Sequence, residues 1–404
     1  MQVKTKQKSE LEFIALMAFL MANAALSIDA VLPGLNSMAA TLNIQADNQL
    51  QYIVTMILVG LGAGQLVFGT LSDSFGRKPM VYAGAITFIL ASLVCVSTDR
   101  LEIMLIGRIF QGIGLSAPRS ISISIIRDSY SGDNMARVMS FITAIFIIVP
   151  MIAPMIGQLI LTAFTWQYIF LFQIVFIILI LIWFHLRQEE TLTKENKKKF
   201  SATLFFNGAK TFFNIRQTVI YTIISGLIGG SFFVYLSASK QVFQDQYELT
   251  TSFVYVFGAL AFSMGVSSFL NSFLVVKFGM KKLAIYSLLL FSSSSLIYSI
   301  LFYNGMNPSL PTIMIFFAIQ FMSLGFIFGN VRSLAMQPIG HIAGIGAAIN
   351  GFVSTLMSVP IAMFIGSFMT NTAYPMFIGF FVCSLLSLFL ILYLNLNNRK
   401  QEKL

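Results

Sequence analysis

Gly69-Thr70-Leu71-Ser72-Asp73-Ser74-Phe75-Gly76-Arg77-Lys78-Pro79 stands between two long apolar runs. Gly76 suits a tight turn, because glycine enters positive φ at no steric cost. Gly69 lacks the side chain that would keep two helices apart. Asp73 can cap a neighbouring helix N-terminus or pair with a cation. Arg77 and Lys78 can reach an acidic lipid surface or a partner carboxylate. The flanking runs, near 50–71 and 79–98, each offer the roughly 20 apolar residues that a bilayer crossing takes. The stretch therefore reads as a basic turn between two spanning helices.

The same pattern repeats outward from that turn. Of 404 residues, 57% are hydrophobic and only 10% are charged, against about a quarter charged in a soluble domain. Too few charges remain to clothe a water-facing surface. Spans are predicted near 12–34, 50–71, 79–98, 102–125, 138–162, 166–186, 217–239, 251–275, 282–303, 311–337, 342–368 and 373–395. With the N-terminus in the cytoplasm, the inner segments hold Lys4, Lys6, Lys8, Arg77, Lys78, Arg127, Arg137, the basic 187–216 segment, Lys277, Lys281, Lys282, Arg399, Lys400 and Lys403. The outer side keeps Arg100 and Lys240. The positive-inside rule then puts both termini in the cytoplasm and requires an even number of spans. Ala22-Asn23-Ala24 resembles a signal-peptidase site, but the apolar run continues to Leu32 and suits a first spanning helix better.

The net charge of +10 does not point to nucleic acid, because the basic residues gather at one set of helix ends. Cys95 and Cys383 lie far apart in apolar runs and read as free thiols. His185 and His341 fall at helix ends, and no metalloprotease, serine-hydrolase or nucleotide-binding pattern occurs. Neither an enzyme nor a metal or cofactor site is expected.

One long loop, 187–216, follows the sixth span. It begins with a charged stretch from Gln188 to Lys199 and continues with Phe200, Leu204, Phe205, Phe212 and Phe213. The second part reads either as an amphipathic surface segment or as a solvated linker. The loop divides the chain into 1–186, a linker at 187–216, and 217–404. The parts on either side echo each other. Val149-Pro150 and Gly157 in span 5 correspond to Val359-Pro360 and Gly366 in span 11. Phe75-Gly76-Arg77-Lys78 corresponds to Phe278-Gly279-Met280-Lys281. Two six-helix repeats are a transporter architecture with the cargo site between the halves.

The 69–79 stretch resembles the signature of the major facilitator superfamily, G-x-L-x-D-x-x-G-R-K. Its second-half counterpart has Val276 where Asp73 would align. Further stretches narrow the resemblance: Ser27-Ile28-Asp29-Ala30-Val31-Leu32-Pro33, Gly107-Arg108-Ile109-Phe110-Gln111-Gly112, Arg127-Asp128, Val149 to Gly157, and Phe328-Gly329-Asn330 with His341-Ile342-Ala343-Gly344. Together these resemble the Bcr/CflA-type drug:proton antiporters over nearly the whole chain. The resemblance implies an all-α major facilitator fold of twelve spans in two six-helix bundles. It also implies a latch at the cytoplasmic side built on Gly69, Asp73, Gly76, Arg77 and Lys78; Arg127, near the cytoplasmic end of span 4, is expected to join it by pairing with Asp73. Pro150, Pro154 and Gly157 would mark the antiporter helix, though this run has fewer glycines than the usual G-x-x-x-G-P form.

Asp29 is the one acid well inside a span. An unpaired acid there costs roughly 2.5–3.5 kcal/mol on insertion scales. Asp29 and Arg108 both lie roughly 9 Å below the outer surface, so they can pair, either as a proton-coupling site or as a static salt bridge. Arg119, eleven residues after Arg108, falls about 20° beyond three turns, which puts both arginines on one face of span 4. A cavity lining or a snorkelling side chain would both place it there. Phe232, Tyr235, Gln320 and Asn330 are softer candidates for the substrate cavity, since interhelical hydrogen bonds account for most such polar residues.

The expected function is proton-coupled export of small amphipathic compounds by alternating access, from the cytoplasm and across the bacterial inner membrane. The expected partners are the small-molecule substrate, protons and the lipid bilayer, and the chain is expected to act as a monomer. Export of an endogenous metabolite such as a siderophore or peptide fits the same fold. A membrane-embedded enzyme or receptor would need clustered catalytic groups or a soluble domain, which the sequence does not show.

Overall fold

A computed structural model describes residues 9–44, 47–130, 132–192, 202–249 and 252–401. The first half of the chain forms α1 (Glu10–Asp29), α2 (Leu35–Thr41), α3 (Asp47–Phe75), α4 (Arg77–Ser97), α5 (Leu101–Ser129), α6 (Gly132–Ala163) and α7 (Gln167–Arg187). A short α8 (Ala202–Asn214) follows. The second half forms α9 (Arg216–Lys240), α10 (Phe253–Phe278), α11 (Met280–Leu301), α12 (Leu310–Met336), α13 (Ala343–Ser367) and α14 (Tyr374–Gln401). Each of the twelve expected spans falls on one of these helices. Among the described residues, eleven helical stretches are long and apolar enough to cross a membrane, and Ile148–Ala163 of α6 adds a shorter apolar stretch. In such a solvent every backbone polar group needs an internal partner, which a helix supplies by itself.

Lipid tails are as apolar as leucine, so burial alone does not press spanning helices together; close packing of small residues does. The α3–α5 contact shows this. A side chain on Gly112 would run into the backbone of Ile57 and Leu61, and one on Gly60 into the Ile109 carbonyl. Both thiols are free and buried, as the sequence implies.

The halves meet along α3 with α13 and along α6 with α10. The bundle has a turn end, which carries Gly76, and a far end opposite it. At the far end Gln51 donates to Gln241 at 3.2 Å, and Gln241 donates to the Thr370 carbonyl at 3.1 Å. This chain of amides fastens α3 to the far ends of α9 and α13.

The two candidate readings of the linker separate clearly. Positions 193–201, with most of the charged stretch and Phe200, lie outside the described residues, as do the side chains of Leu204 and Phe205. From Ala202 the chain is helical, with Phe212 fully buried and Phe206 and Phe213 exposed. Phe212 packs with Ile339 and Ile349. This segment is amphipathic, and its apolar face rests on the turn end of α13.

Candidate functional site

The 69–79 turn is built as the sequence suggests at Gly76 and differently elsewhere. Gly76 has φ +112° and precedes α4; Gly279 has φ +80° and precedes α11. The repeat therefore extends to the backbone of the turn. Arg77 is 2% exposed. Its guanidinium donates to Asp73 at 2.5 Å, to Asp128 at 2.9 Å and to the Ser72 hydroxyl at 2.8 Å. The expected Arg127–Asp73 pair is not what forms. Arg127 is exposed, and the neighbouring Asp128 faces the turn instead, because consecutive helical residues point about 100° apart. Arg77 is then the cation shared by two acids. Gly69 also departs from expectation, since a side chain there would meet only Ala348, at an ordinary 3.9 Å. In the second-half turn Val276 is 86% exposed, and no acid is set there to repeat the network.

Glu190, which the sequence did not single out, completes the turn. Its carboxylate accepts from the backbone N–H of Arg77 and of Lys78, each at 3.0 Å. The first N–H groups of a helix lack intrahelical partners, and an anion at that end also meets the favourable end of the helix dipole. Lys78 returns the contact by donating to the Gln188 carbonyl at 2.5 Å, and Thr191 donates to Asp128 at 3.1 Å. The start of the linker is thus strapped across the turn. On α1, Glu12 accepts from Arg187 at 2.5 Å and from Trp183 at 3.2 Å, which ties the first and last helices of this half together near the same end.

Arg108 is fully buried and ties its own helix, α5, to four others. It donates to the Ile53 carbonyl of α3 at 2.8 Å, to the Ser27 carbonyl of α1 at 3.2 Å and to Gln111 at 3.0 Å. Gln111 in turn donates to Ser92 of α4 at 2.7 Å. The guanidinium lies 5.7 Å from the centre of the Phe170 ring on α7. It does not pair with Asp29. Depth in the membrane matches, but direction does not: Ser27 and Asp29 are about 200° apart around α1, so the face that meets Arg108 is not the face that carries the carboxylate.

Asp29 is the last residue of α1 and only 4% exposed. Among the described residues its carboxylate accepts no hydrogen bond and meets no cation. A helix C-terminus is also the end that repels negative charge. The group within its electrostatic reach is Tyr235 of α9, in the other half. The Tyr235 ring sits in a cage of Phe317, Phe321 and Phe257, with centroids at 5.3, 4.6 and 5.9 Å. Among the described residues its hydroxyl has no hydrogen-bond partner. Phe232, one turn back on α9, stands edge-on to Phe321 and Phe328.

The other cavity candidates divide. Arg119 lies partly buried on α5, within electrostatic reach of Arg332 on α12 in the second half. Gln320 turns away from the centre and donates to Ser294 and Ser295 of α11 at 2.8 and 2.9 Å. Asn330 donates to Asn271 of α10 at 2.7 Å. Both act as interhelical ties in this arrangement. A surface concavity lined by Tyr221, Lys281, Lys282 and Leu334 opens at the turn end of the second half, away from all these groups.

In α6, Pro150 and Pro154 sit within the helix, as Pro360 does in α13. A side chain on Gly157 would collide with the Ala30 carbonyl. Gly157 is thus the point where α6 reaches the residue next to Asp29. Met151, between the two prolines, faces Gly258 of α10. One helix therefore touches both the acid's neighbourhood and the other half.

Two helical halves, joined chiefly along α3 with α13 and α6 with α10 and with ionisable groups near their junction, define a multi-pass membrane transporter. The match to the Major Facilitator Superfamily spans residues 13–362, and the chain belongs to that family. It is 28% identical to an uncharacterized MFS-type transporter, YdgK, of Bacillus subtilis, covering 91% of this chain and 92% of that one. It is 27% identical to a bicyclomycin resistance protein homolog of Haemophilus influenzae, covering 98% and 99%. It is 26% identical to the multidrug resistance protein MdtL of Salmonella heidelberg, covering 90% of each. These relatives agree with the Bcr/CflA-type resemblance. Among solved structures, the D-xylose–proton symporter superposes with a TM-score of 0.73 at 17% identity, covering 95% of this chain and 96% of that one, a likeness of fold.

Proposed function

We propose that this transporter exports small amphipathic compounds from the bacterial cytoplasm, across the inner membrane, in exchange for protons. Two relatives are named for drug resistance, which supports cargo of that kind. The observation that carries the coupling is Asp29: the one acid well inside a span, without an ion-pair partner among the described residues, and within electrostatic reach of Tyr235 in the other half of the protein. A carboxyl group that is alternately dry and hydrated takes up and gives up a proton, and rocking of the halves supplies that alternation. Arg108 belongs to the same machinery through α1. Its grip on the Ser27 carbonyl fixes how Asp29 is presented, so it positions the acid rather than neutralising it. Tyr235 and Phe232 form the apolar wall opposite. At the cytoplasmic side, Gly76, Asp73, Arg77, Lys78 and Glu190 form the latch. One charge falling through 100 mV releases about 2.3 kcal/mol, enough for roughly fifty-fold accumulation.

The test is export from proteoliposomes. With a panel of aromatic dyes and an imposed pH gradient, the protein should move at least one dye against its own gradient, and a protonophore should abolish the movement. Dye movement that a protonophore leaves unchanged would contradict the coupling.

A further inference from the structure

The second half of the chain is short of anions. From position 249 to position 401 the sequence holds no Asp and no Glu. Asp245 and Glu248, just before that stretch, follow the far end of α9. At the turn end, Lys281 and Lys282 are exposed, and among the described residues their side chains meet no acid. The first half shows what such a turn takes. There Glu190 accepts from the N–H groups of Arg77 and Lys78, the first two of α4. The repeat puts Met280 and Lys281 in the same places after Gly279, and no described side chain accepts from their N–H groups. Those amides have no acceptor inside the helix and stand at the end of the helix dipole that attracts an anion.

A cavity of about 430 Å³ lies at this turn. Lys281, Lys282 and Tyr221 line it, together with an apolar wall of Phe278, Leu334 and Leu394. Tyr221 is 1% exposed, yet among the described residues its hydroxyl has no hydrogen-bond partner. A buried hydroxyl left without a partner is costly, and this one borders the cavity. Uncapped amides, two lysines and a free hydroxyl beside an apolar wall match a phosphate group carried on a hydrocarbon body. Lysine binds phosphate as a point charge, and a helix N-terminus binds it through backbone N–H groups. Val276 and Phe278 are exposed apolar residues of the same turn, which suits a lipid and not a free phosphate. We propose that this cavity holds the headgroup phosphate of an anionic phospholipid from the leaflet at the turn end. The phosphate accepts from the amides that begin α11 and from Tyr221, Lys281 and Lys282 balance its charge, and the acyl chains leave along the apolar wall. The lipid does for α11 what Glu190 does for α4. Neither cargo nor proton enters this site, so it stands or falls apart from the export reading.

The test uses the full chain, purified in detergent and stripped of lipid. The probes are phosphatidylglycerol with a nitrobenzoxadiazole dye on one acyl chain and a diacylglycerol with the same labelled chain, and binding is read from the dye's fluorescence. Phosphatidylglycerol should bind about tenfold more tightly than diacylglycerol, or better. Lys281→Gln and Lys282→Gln should each weaken it about fivefold, the scale of one lysine at an anionic lipid surface, and the double variant should bind both lipids alike. Tyr221→Phe, which removes only the hydroxyl, should also cost about fivefold. Diacylglycerol binding should stay the same in every variant, which marks an intact fold. Glycerol phosphate, a headgroup without chains, should not displace the lipid even in large excess. Displacement by glycerol phosphate would reassign the cavity to a soluble phosphate and overturn the lipid. Equal binding of the two lipids to the wild type, or a preference that survives the double lysine variant, would overturn the site.

Discussion

Replacing Glu190 by glutamine should loosen the first turn of α4 without disturbing the rest of the bundle. The carboxylate accepts from the Arg77 and Lys78 amides at 3.0 Å each, and those amides begin a helix, so no carbonyl inside the helix serves them. Glutamine keeps one accepting oxygen and loses the other, together with the negative charge. Loss of an N-terminal cap costs about 0.5–2 kcal/mol. Glu190 is exposed, so screening by water holds the loss near the middle of that range, about 1 kcal/mol. Local opening free energies set amide exchange, and about 1 kcal/mol is roughly a fivefold change in the open population. Hydrogen–deuterium exchange of a peptide covering 76–80 should therefore quicken about fivefold in Glu190→Gln, with peptides from α5 and α9 unchanged. Exchange at the wild-type rate would show that the strap contributes nothing to the turn and that its part in the latch is mistaken.

Asp73→Asn removes one of two acids on Arg77 and should slow transport at normal expression, because Asp128 still holds the guanidinium at 2.9 Å; dye efflux at the wild-type rate would reduce the motif to a topology signal. Gly112→Leu should strongly reduce the yield of monodisperse protein, since the added side chain meets the backbone of Ile57 and Leu61 and overpacking alone costs about 1–3 kcal/mol. Reporter fusions active only outside the cytoplasm should be dark both within 187–216 and at the C-terminus, and a bright signal at either would overturn the assigned orientation.

What the sequence disclosed and what it concealed divide by range and by direction. Spans were legible because a bilayer demands about 20 apolar residues whatever the neighbours are. The Gly76 turn was legible because positive φ selects glycine, and its echo at Gly279 showed in the residues alone. Depth along a helix was legible too, which is why Asp29 and Arg108 were matched. Their failure to pair is a matter of azimuth and of acceptors that leave no trace in the sequence: the carbonyls of Ile53 and Ser27 belong to every residue type. The same limit explains Gln320 and Asn330, whose hydrogen-bonding capacity was read correctly but whose partners on α11 and α10 were not foreseen. Glu190 stands more than a hundred residues from the amides it caps, within a charged stretch that reads as a solvated linker. Arg127 and Asp128 differ by one position, and only the packed helix shows which of them looks inward.

Whether Asp29 carries the coupled proton is read from proton release by the purified protein. Arg108 is held by Ile53, Ser27 and Gln111 rather than by Asp29, so Asp29→Asn leaves no cation stranded and should fold as the wild type does. A weakly buffered solution with a pH indicator reports protons displaced when an exported dye is added. Wild type should release protons on dye addition, and Asp29→Asn should bind the dye yet release none. Proton release from Asp29→Asn equal to that of the wild type, with dye binding intact, would contradict the account and move the coupling site elsewhere.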